Sequence, residues 1–151
     1  MNNIEISCYD VKEQIWFERA EIYCRKVLEY LEKEKWEISL VFTNNAYIRG
    51  LNRDFREKDT PTDVLSFCQS DGDIPVPVNS ESFYAGDIII SLEYLDRNCT
   101  EFQVSRDEEL RRLILHGILH LAGFDHATND PGEKMLIFQE EILNKIGEVI
   151  L

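Results

Sequence analysis

The stretch "RDEELRRLILHGILHLAGFDH" (residues 106–126) predicts a long helix followed by a reversal of the chain, and it contains all three histidines of the 151-residue sequence. Ser105 precedes it as a helix N-cap, and the acidic residues of the first turn complement the positive end of the helix dipole. Gly123 can end the helix in a left-handed turn. We therefore expect a helix from Ser105 to about Ala122.

The spacing of the histidines predicts a metal site on this helix and the turn that follows it. His116 and His120 are four residues apart, so their rings project from one helix face and can bind the same ion. His126 lies beyond Gly123, and the reversal brings it back toward that point. Three imidazoles leave the fourth corner of a tetrahedron for water or substrate, as in a catalytic zinc site. We expect one Zn²⁺ per chain, although nickel, copper or iron also suit imidazole ligands.

Two further residues of the window bear on its chemistry. Gly117 occupies the position where zinc proteases of the H-E-x-x-H type have a glutamate that acts as general base. The ligand set is zincin-like without that base, so peptide hydrolysis by the zincin mechanism is not expected. Asp125 has two open roles, because it can accept a hydrogen bond from a ligand's second ring nitrogen or cap the turn.

The remaining segments predict an α+β fold with a small mixed four-stranded sheet packed with about five helices. Strands are predicted at residues 4–9, 36–43, 64–67 and 87–91. Besides the histidine helix, helices are predicted at about residues 12–34, 45–55, 93–99 and 132–147. The strand at 87–91 is apolar on successive residues and is expected to be central, whereas residues 70–86 are expected to form a long loop. The length predicts a single domain over residues 1–151.

The helix at 45–55 is predicted to have an apolar face and a basic face, with Asn44 or Asn45 as its N-cap. Helical spacing places one set of side chains inward and another on a neighbouring face. The inward set is Ile48, Leu51 and Phe55, and the basic set is Arg49, Arg53 and Arg56.

Composition narrows the class of protein. The net charge of −13 disfavours unspecific binding to nucleic acid, so contact with a polyanion should be confined to the cluster of Arg49, Arg53, Arg56 and Lys58. No apolar run approaches the ~20 residues of a membrane span. The four cysteines form no C-x-x-C pair and are expected to be buried, reduced thiols. The first residues show no basic region of a secretory signal, and we expect a cytoplasmic protein.

Three blocks of the sequence resemble the YbeY-type family, the bacterial rRNA maturation endoribonucleases. They are "LNRDFREKDTPTDVLSF" (51–67), "GDIIIS" (86–91) and "HGILHLAGFDH" (116–126). Their order and spacing also match, and the likeness covers most of the chain from about residue 36. Where the family usually has proline after S-F, this chain has Cys68, and a thiol there could interfere with a nearby metal.

The resemblance implies a single-strand-specific, metal-dependent endoribonuclease that acts in 16S rRNA 3′-end maturation and ribosome quality control. It implies His116, His120 and His126 as metal ligands, with catalytic roles for His116 and Arg56. A guanidinium can hold two phosphoryl oxygens and stabilise the charge that develops on them. The implied partner is small-subunit ribosomal RNA, together with basic ribosomal proteins or assembly factors, and neither DNA nor a membrane is implied.

Several alternatives stay open on the sequence alone. The chain could be a non-catalytic assembly factor in which the metal is a structural staple, or a metallopeptidase, against which Gly117 argues. Arg56 could be one of several solvated arginines on a surface helix. The nucleophile could be water or the 2′-hydroxyl of the RNA.

Overall fold

The computed structural model describes residues 1–69 and 82–147, and over these ranges the chain has the predicted α+β architecture. Nine elements follow one another along the described chain. They are β1 (Asn3–Cys8), α1 (Phe17–Tyr30), β2 (Trp36–Thr43), α2 (Asn45–Arg56), β3 (Val64–Cys68), β4 (Phe83–Ser91), α3 (Leu92–Phe102), α4 (Arg106–Leu121) and α5 (Lys134–Lys145).

The described strands form one mixed sheet in the order β1-β2-β4-β3. β1, β2 and β4 are parallel, and β3 runs antiparallel to β4. β4 is central, as its apolar run predicted, and its Ile88 and Ile90 are fully buried. It begins at Phe83 instead of residue 87, because Phe83 pairs with Trp36 of β2. Residues 70–81 of the predicted loop lie outside the described residues.

α4 is the interior helix of the fold. It packs on β3 and β4 and also contacts α1, α3 and α5. Leu110, Ile114, Leu115 and Ile118 on this helix are almost completely buried, since apolar elements surround it on several sides. The histidines at its C-terminal end are therefore held on a rigid support. None of the helices in the described ranges is long and apolar enough to span a membrane.

α1 is shorter than the predicted helix at 12–34 and spans Phe17–Tyr30. Its N-cap residue, Trp16, makes no side-chain capping bond, and the preceding Ile15 is fully exposed. Ile15 therefore gains no burial that would favour a longer helix toward residue 12. After the helix, Glu32 has a φ of 58°, and this left-handed conformation prevents the helix from continuing.

The inward orientation predicted for Phe55 on α2 is wrong. Ile48 is fully buried and Leu51 is half-buried, but Phe55 exposes 65% of its surface. Phe55 packs edge-on against Phe67 of β3, with ring centroids 5.5 Å apart, and this contact leaves most of the ring in solvent. Helical spacing predicts which side chains share one face of a helix, but it does not show how far the sheet beneath that face extends. The predicted cap is present, because Asn44 accepts a hydrogen bond from the backbone N–H of Tyr47.

The four cysteines are reduced thiols that form no disulfide, as predicted. Cys24 is fully buried among the core side chains of α1, and its burial raises the thiol pKa to about 12. Cys8, Cys68 and Cys99 are only partly buried, so the predicted burial is confirmed for Cys24 and is incomplete for the other three.

Candidate metal centre and adjoining cleft

The predicted turn after α4 is present and is closed by two backbone hydrogen bonds. Phe124 N–H donates to the carbonyl of Leu119, and Gly123 N–H donates to that of His120, each at 3.0 Å. This is a Schellman motif, which needs a left-handed residue directly after the cap. Gly123 supplies it with a φ of 95°. The chain reverses there and returns His126 toward the helix.

The three histidines gather at this reversal, as predicted. One ring nitrogen from each of His116, His120 and His126 lies within 4.8 Å of the others. The Nε2 atoms of His116 and His120 are 3.1 Å apart. Two ligands of a tetrahedral zinc ion, each at ~2.0–2.1 Å, lie about 3.3 Å from one another. The rings are therefore spaced to hold one metal ion.

Hydrogen bonds on the outer side of two rings leave their inner nitrogens free to act as ligands. His126 Nδ1 lies 2.7 Å from the carbonyl oxygen of Thr128. A carbonyl only accepts, so His126 Nδ1 carries the proton and Nε2 keeps its lone pair. His116 Nδ1 lies 2.7 Å from Gln139 Oε1. Imidazole nitrogens placed in this way suit a divalent transition metal.

Burial keeps two of the rings neutral. Burial, together with the neighbouring His116 and His126, lowers the pKa of His120 to about 4. Burial also lowers the pKa of His116, against the opposing effect of its hydrogen bond to Gln139. Metal ligands must be deprotonated, so these surroundings prepare both rings for an ion at neutral pH.

We expect the metal-free protein to lose stability as the pH falls from about 6.5 to about 4. His120 has a lower pKa in the folded chain than in the unfolded chain, so the unfolded chain binds more protons in this window. Denaturant unfolding at several pH values measures the effect. A His120→Gln variant should lose this part of the pH dependence, and a variant with an unchanged profile would contradict the assignment.

Asp125 caps the turn. Its Oδ1 accepts a hydrogen bond from the backbone N–H of His126 at 2.8 Å. The second ring nitrogens of His116 and His126 have the other partners described above, and His120 has a backbone partner in Phe124, so the structure favours the capping role. Cys68 Sγ lies 3.3 Å from the carbonyl oxygen of His120, so this thiol links β3 to the end of α4.

A cleft of about 480 Å³ adjoins the histidines. Its walls come from the end of α2, from β3 and from the end of α4 with its turn. The residues that line it include Arg56, Ser66, Cys68, His116, His120, Phe124 and Asp125. Elements far apart in the sequence therefore bring Arg56 and two of the histidines to one cavity.

Arg56 is held in place at the edge of this cleft. Its Nη2 donates to the carbonyl of Ser66 at 2.7 Å, and its guanidinium lies 5.0 Å from the centre of the Phe67 ring. Arg49 instead pairs with Asp59 at 2.9 Å, and Arg53 pairs with Asp54 at 3.0 Å. None of the ion pairs seen among residues 1–69 and 82–147 involves Arg56, so its charge is the least neutralised of the three.

Packing requires glycine at residue 117, which is also the position where a zincin would have its glutamate base. A Cβ atom there would lie 2.8 Å from Cγ2 of Ile88, a side chain that is fully buried in β4. The helix can approach the sheet this closely because residue 117 has no side chain. A glutamate at this position would have no room.

We expect Gly117→Ala to lower the free energy of unfolding by about 1–3 kcal/mol, since overpacking a buried contact forces its neighbours to shift. Gly50→Ala is the matched control, because Gly50 is also helical and its added Cβ would meet nothing closer than 3.9 Å. That variant should gain up to ~1 kcal/mol from helix propensity. Equal effects in the two variants, measured by denaturant unfolding, would contradict the packing argument.

Gln139 is a residue of the site that sequence reasoning missed. It lies on α5 with only 5% of its surface exposed and contacts the candidate ligand His116. The sequence contained a signal for this residue, because helical spacing places Gln139 on the same face of α5 as Met135 and Ile142. A polar residue on an otherwise apolar face needs a buried hydrogen-bond partner.

Comparisons with known proteins show which family the chain belongs to. A sequence model of the family described as Endoribonuclease YbeY matches residues 4–147. A Treponema denticola protein named Endoribonuclease YbeY is 50% identical over 83% of this chain and 80% of its own length. A Borrelia duttonii protein of the same name is 42% identical over 92% of this chain and 99% of its own length. The solution structure of TM1509 from Thermotoga maritima has a TM-score of 0.63 and 28% identity, covering 95% of this chain and 88% of that one. With matches over most of its length, the chain belongs to the YbeY family.

Proposed function

We propose that this chain is a metal-dependent endoribonuclease that cleaves single-stranded RNA, formed as one domain over residues 1–151. Its substrate is small-subunit ribosomal RNA, cut during 3′-end maturation of 16S rRNA and ribosome quality control in the cytoplasm. Membership of a family whose relatives are named endoribonucleases supports the reaction class. The observation that carries the proposal is that Arg56, His116 and His120 line the same cleft.

His116, His120 and His126 are the proposed ligands, and Zn²⁺ is the proposed ion. Their mutual distances, the lowered pKa values of His116 and His120 and the inward-facing Nε2 atom of His126 suit a divalent cation. When bound, such an ion supplies Lewis acidity toward a phosphoryl oxygen. Three neutral ligands leave its positive charge uncompensated, which makes that effect strong.

Arg56 binds the phosphodiester and stabilises the charge that develops on its oxygens. Ser66 and Phe67 hold the guanidinium from one side, and the bond to Ser66 uses one of its N–H groups. The other N–H groups remain to form the two-point contact that a phosphate accepts. Because this anchoring exists before substrate binds, little side-chain entropy is lost on binding.

The acidic surface explains how a phosphate-cleaving protein can be selective. A net charge of −13 repels RNA in general, and basic ribosomal proteins or assembly factors can dock on such a surface. These partners would place the RNA at the cleft. A free RNA of the same sequence is therefore expected to be a poorer substrate than the assembled subunit.

The test is cleavage of purified small ribosomal subunits by protein that is loaded with metal, stripped of metal, and reloaded. We expect cutting to disappear with the metal and to return with it. Equal cutting in all three samples would point to a contaminating nuclease and contradict the proposal. Binding to subunits without cleavage would favour the assembly-factor alternative, and activity on a peptide library would favour a metallopeptidase.

A further inference from the structure

A chain of hydrogen bonds extends from His116 away from the cleft. His116 Nδ1 contacts Gln139 Oε1 at 2.7 Å, and Gln139 Nε2 donates to Glu140 Oε2 at 3.3 Å. Arg112 then binds both carboxylate oxygens of Glu140, with Nη2 at 2.9 Å and Nε at 3.1 Å. The chain thus runs from a guanidinium through a carboxylate and an amide to an imidazole.

The charge of Glu140 determines which way the Gln139 amide points. A carboxylate oxygen accepts hydrogen bonds, so the NH₂ group of Gln139 must face Glu140, and the amide oxygen must face His116. The reverse orientation would bring two oxygens together. His116 must then donate from Nδ1, which leaves its Nε2 lone pair directed toward His120 and the candidate metal position.

The far end of the chain keeps Glu140 charged and in place. Burial raises the pKa of the Glu140 carboxyl, but the hydrogen bonds from Arg112 and Gln139 outweigh it and leave the pKa below its usual value. Arg112 is anchored in turn by Glu109 at 3.1 Å and by Glu108 at 3.3 Å. Glu109 is itself buried and accepts a hydrogen bond from Asn98 at 3.0 Å.

We propose that Gln139 is a positioning residue that sets the tautomer of His116 through the Arg112–Glu140 pair and thereby strengthens metal binding. This inference rests on the metal site of the proposed function. Partners of this kind on metal-bound histidines fix ring orientation and tautomer, and their loss typically weakens metal affinity about 10–100-fold. Through this network, residues of α5 determine the tautomer of a candidate metal ligand on α4.

The test uses the variant Gln139→Met, which keeps a similar shape but removes the acceptor. In the metal-free protein above neutral pH, ¹⁵N NMR of the histidine rings should show His116 protonated at Nδ1 in wild type and shifted toward the Nε2–H tautomer in the variant. Zinc affinity, measured by competition with a chromophoric chelator, should fall about 10–100-fold. Asn144→Met is the matched control, because it makes the same amide-to-thioether change on an exposed part of α5.

A second variant tests the relay without altering Gln139. Glu140→Gln removes the charge that orients the amide, while Arg112 keeps its partners Glu108 and Glu109. We expect a mixture of His116 tautomers and a smaller loss of zinc affinity. Wild-type tautomer and affinity in both variants would overturn the inference. If the wild type bound no zinc, the proposed function would fail, whereas the NMR result on metal-free protein would still test the role of Gln139.

Discussion

His116→Ala is expected to remove the bound metal and to lower RNA cleavage by about 10³-fold or more. Metal catalysis contributes several kcal/mol to transition-state stabilisation, and each 1.36 kcal/mol corresponds to a factor of about ten in rate. His116 has its Nε2 only 3.1 Å from that of His120, and it lies in the wall of the cleft. Its loss therefore leaves two ligands, which is fewer than a catalytic zinc site uses.

Metal analysis of the purified variant and a cleavage assay on small ribosomal subunits measure this result together. His120→Ala and His126→Ala should behave in the same way, because the three rings share one position. Asn144→Ala, an exposed change on α5, controls for handling and should retain both metal and activity. A metal-free His116→Ala protein that cut RNA as fast as wild type would rule out the proposed chemistry.

Arg56→Glu is expected to lower cleavage by about 10²–10³-fold, as for the loss of a preorganised group that stabilises developing charge. It should leave the metal content unchanged, because Arg56 contacts Ser66 and Phe67 and none of its described contacts is with a histidine. Arg56→Lys keeps the charge but loses the two-point geometry, so it should recover only part of the activity.

Arg53→Glu is the matched control for charge, since Arg53 lies one turn earlier on α2 and already pairs with Asp54. We expect only a small change in cleavage by this variant. Equal losses of activity in Arg56→Glu and Arg53→Glu would show that the change in net charge lowers cleavage, and that Arg56 makes no specific contact with the RNA. Loss of metal in Arg56→Glu would instead assign Arg56 a structural role.

Local features of the sequence were sufficient to predict most elements and the histidine cluster. The i, i+4 spacing of His116 and His120 is a local feature, and so is the glycine that ends α4, because each involves only a few neighbouring residues. The strand at 36–43 agrees with β2 to the residue, because the apolar alternation from Trp36 to Phe42 extends over the whole strand. The alternation did not show that the other face is buried too, at Val41 and Thr43, since β2 lies inside the sheet. The start of α1 was misplaced because no side-chain cap marks it.

By itself, the sequence determined the strand and helix types, the histidine spacing and the reversal at Gly123, because each depends on backbone geometry over a few neighbouring residues. Only the tertiary structure decided that Arg56 lines one cleft with His116 and His120, that Phe55 stays exposed and that Gln139 contacts His116. These arrangements bring together side chains that are far apart along the chain: Phe55 contacts Phe67, 12 residues away, and Arg56 lines the same cleft as His116, 60 residues away. Their geometry depends on how whole elements pack, and no local periodicity contains that information.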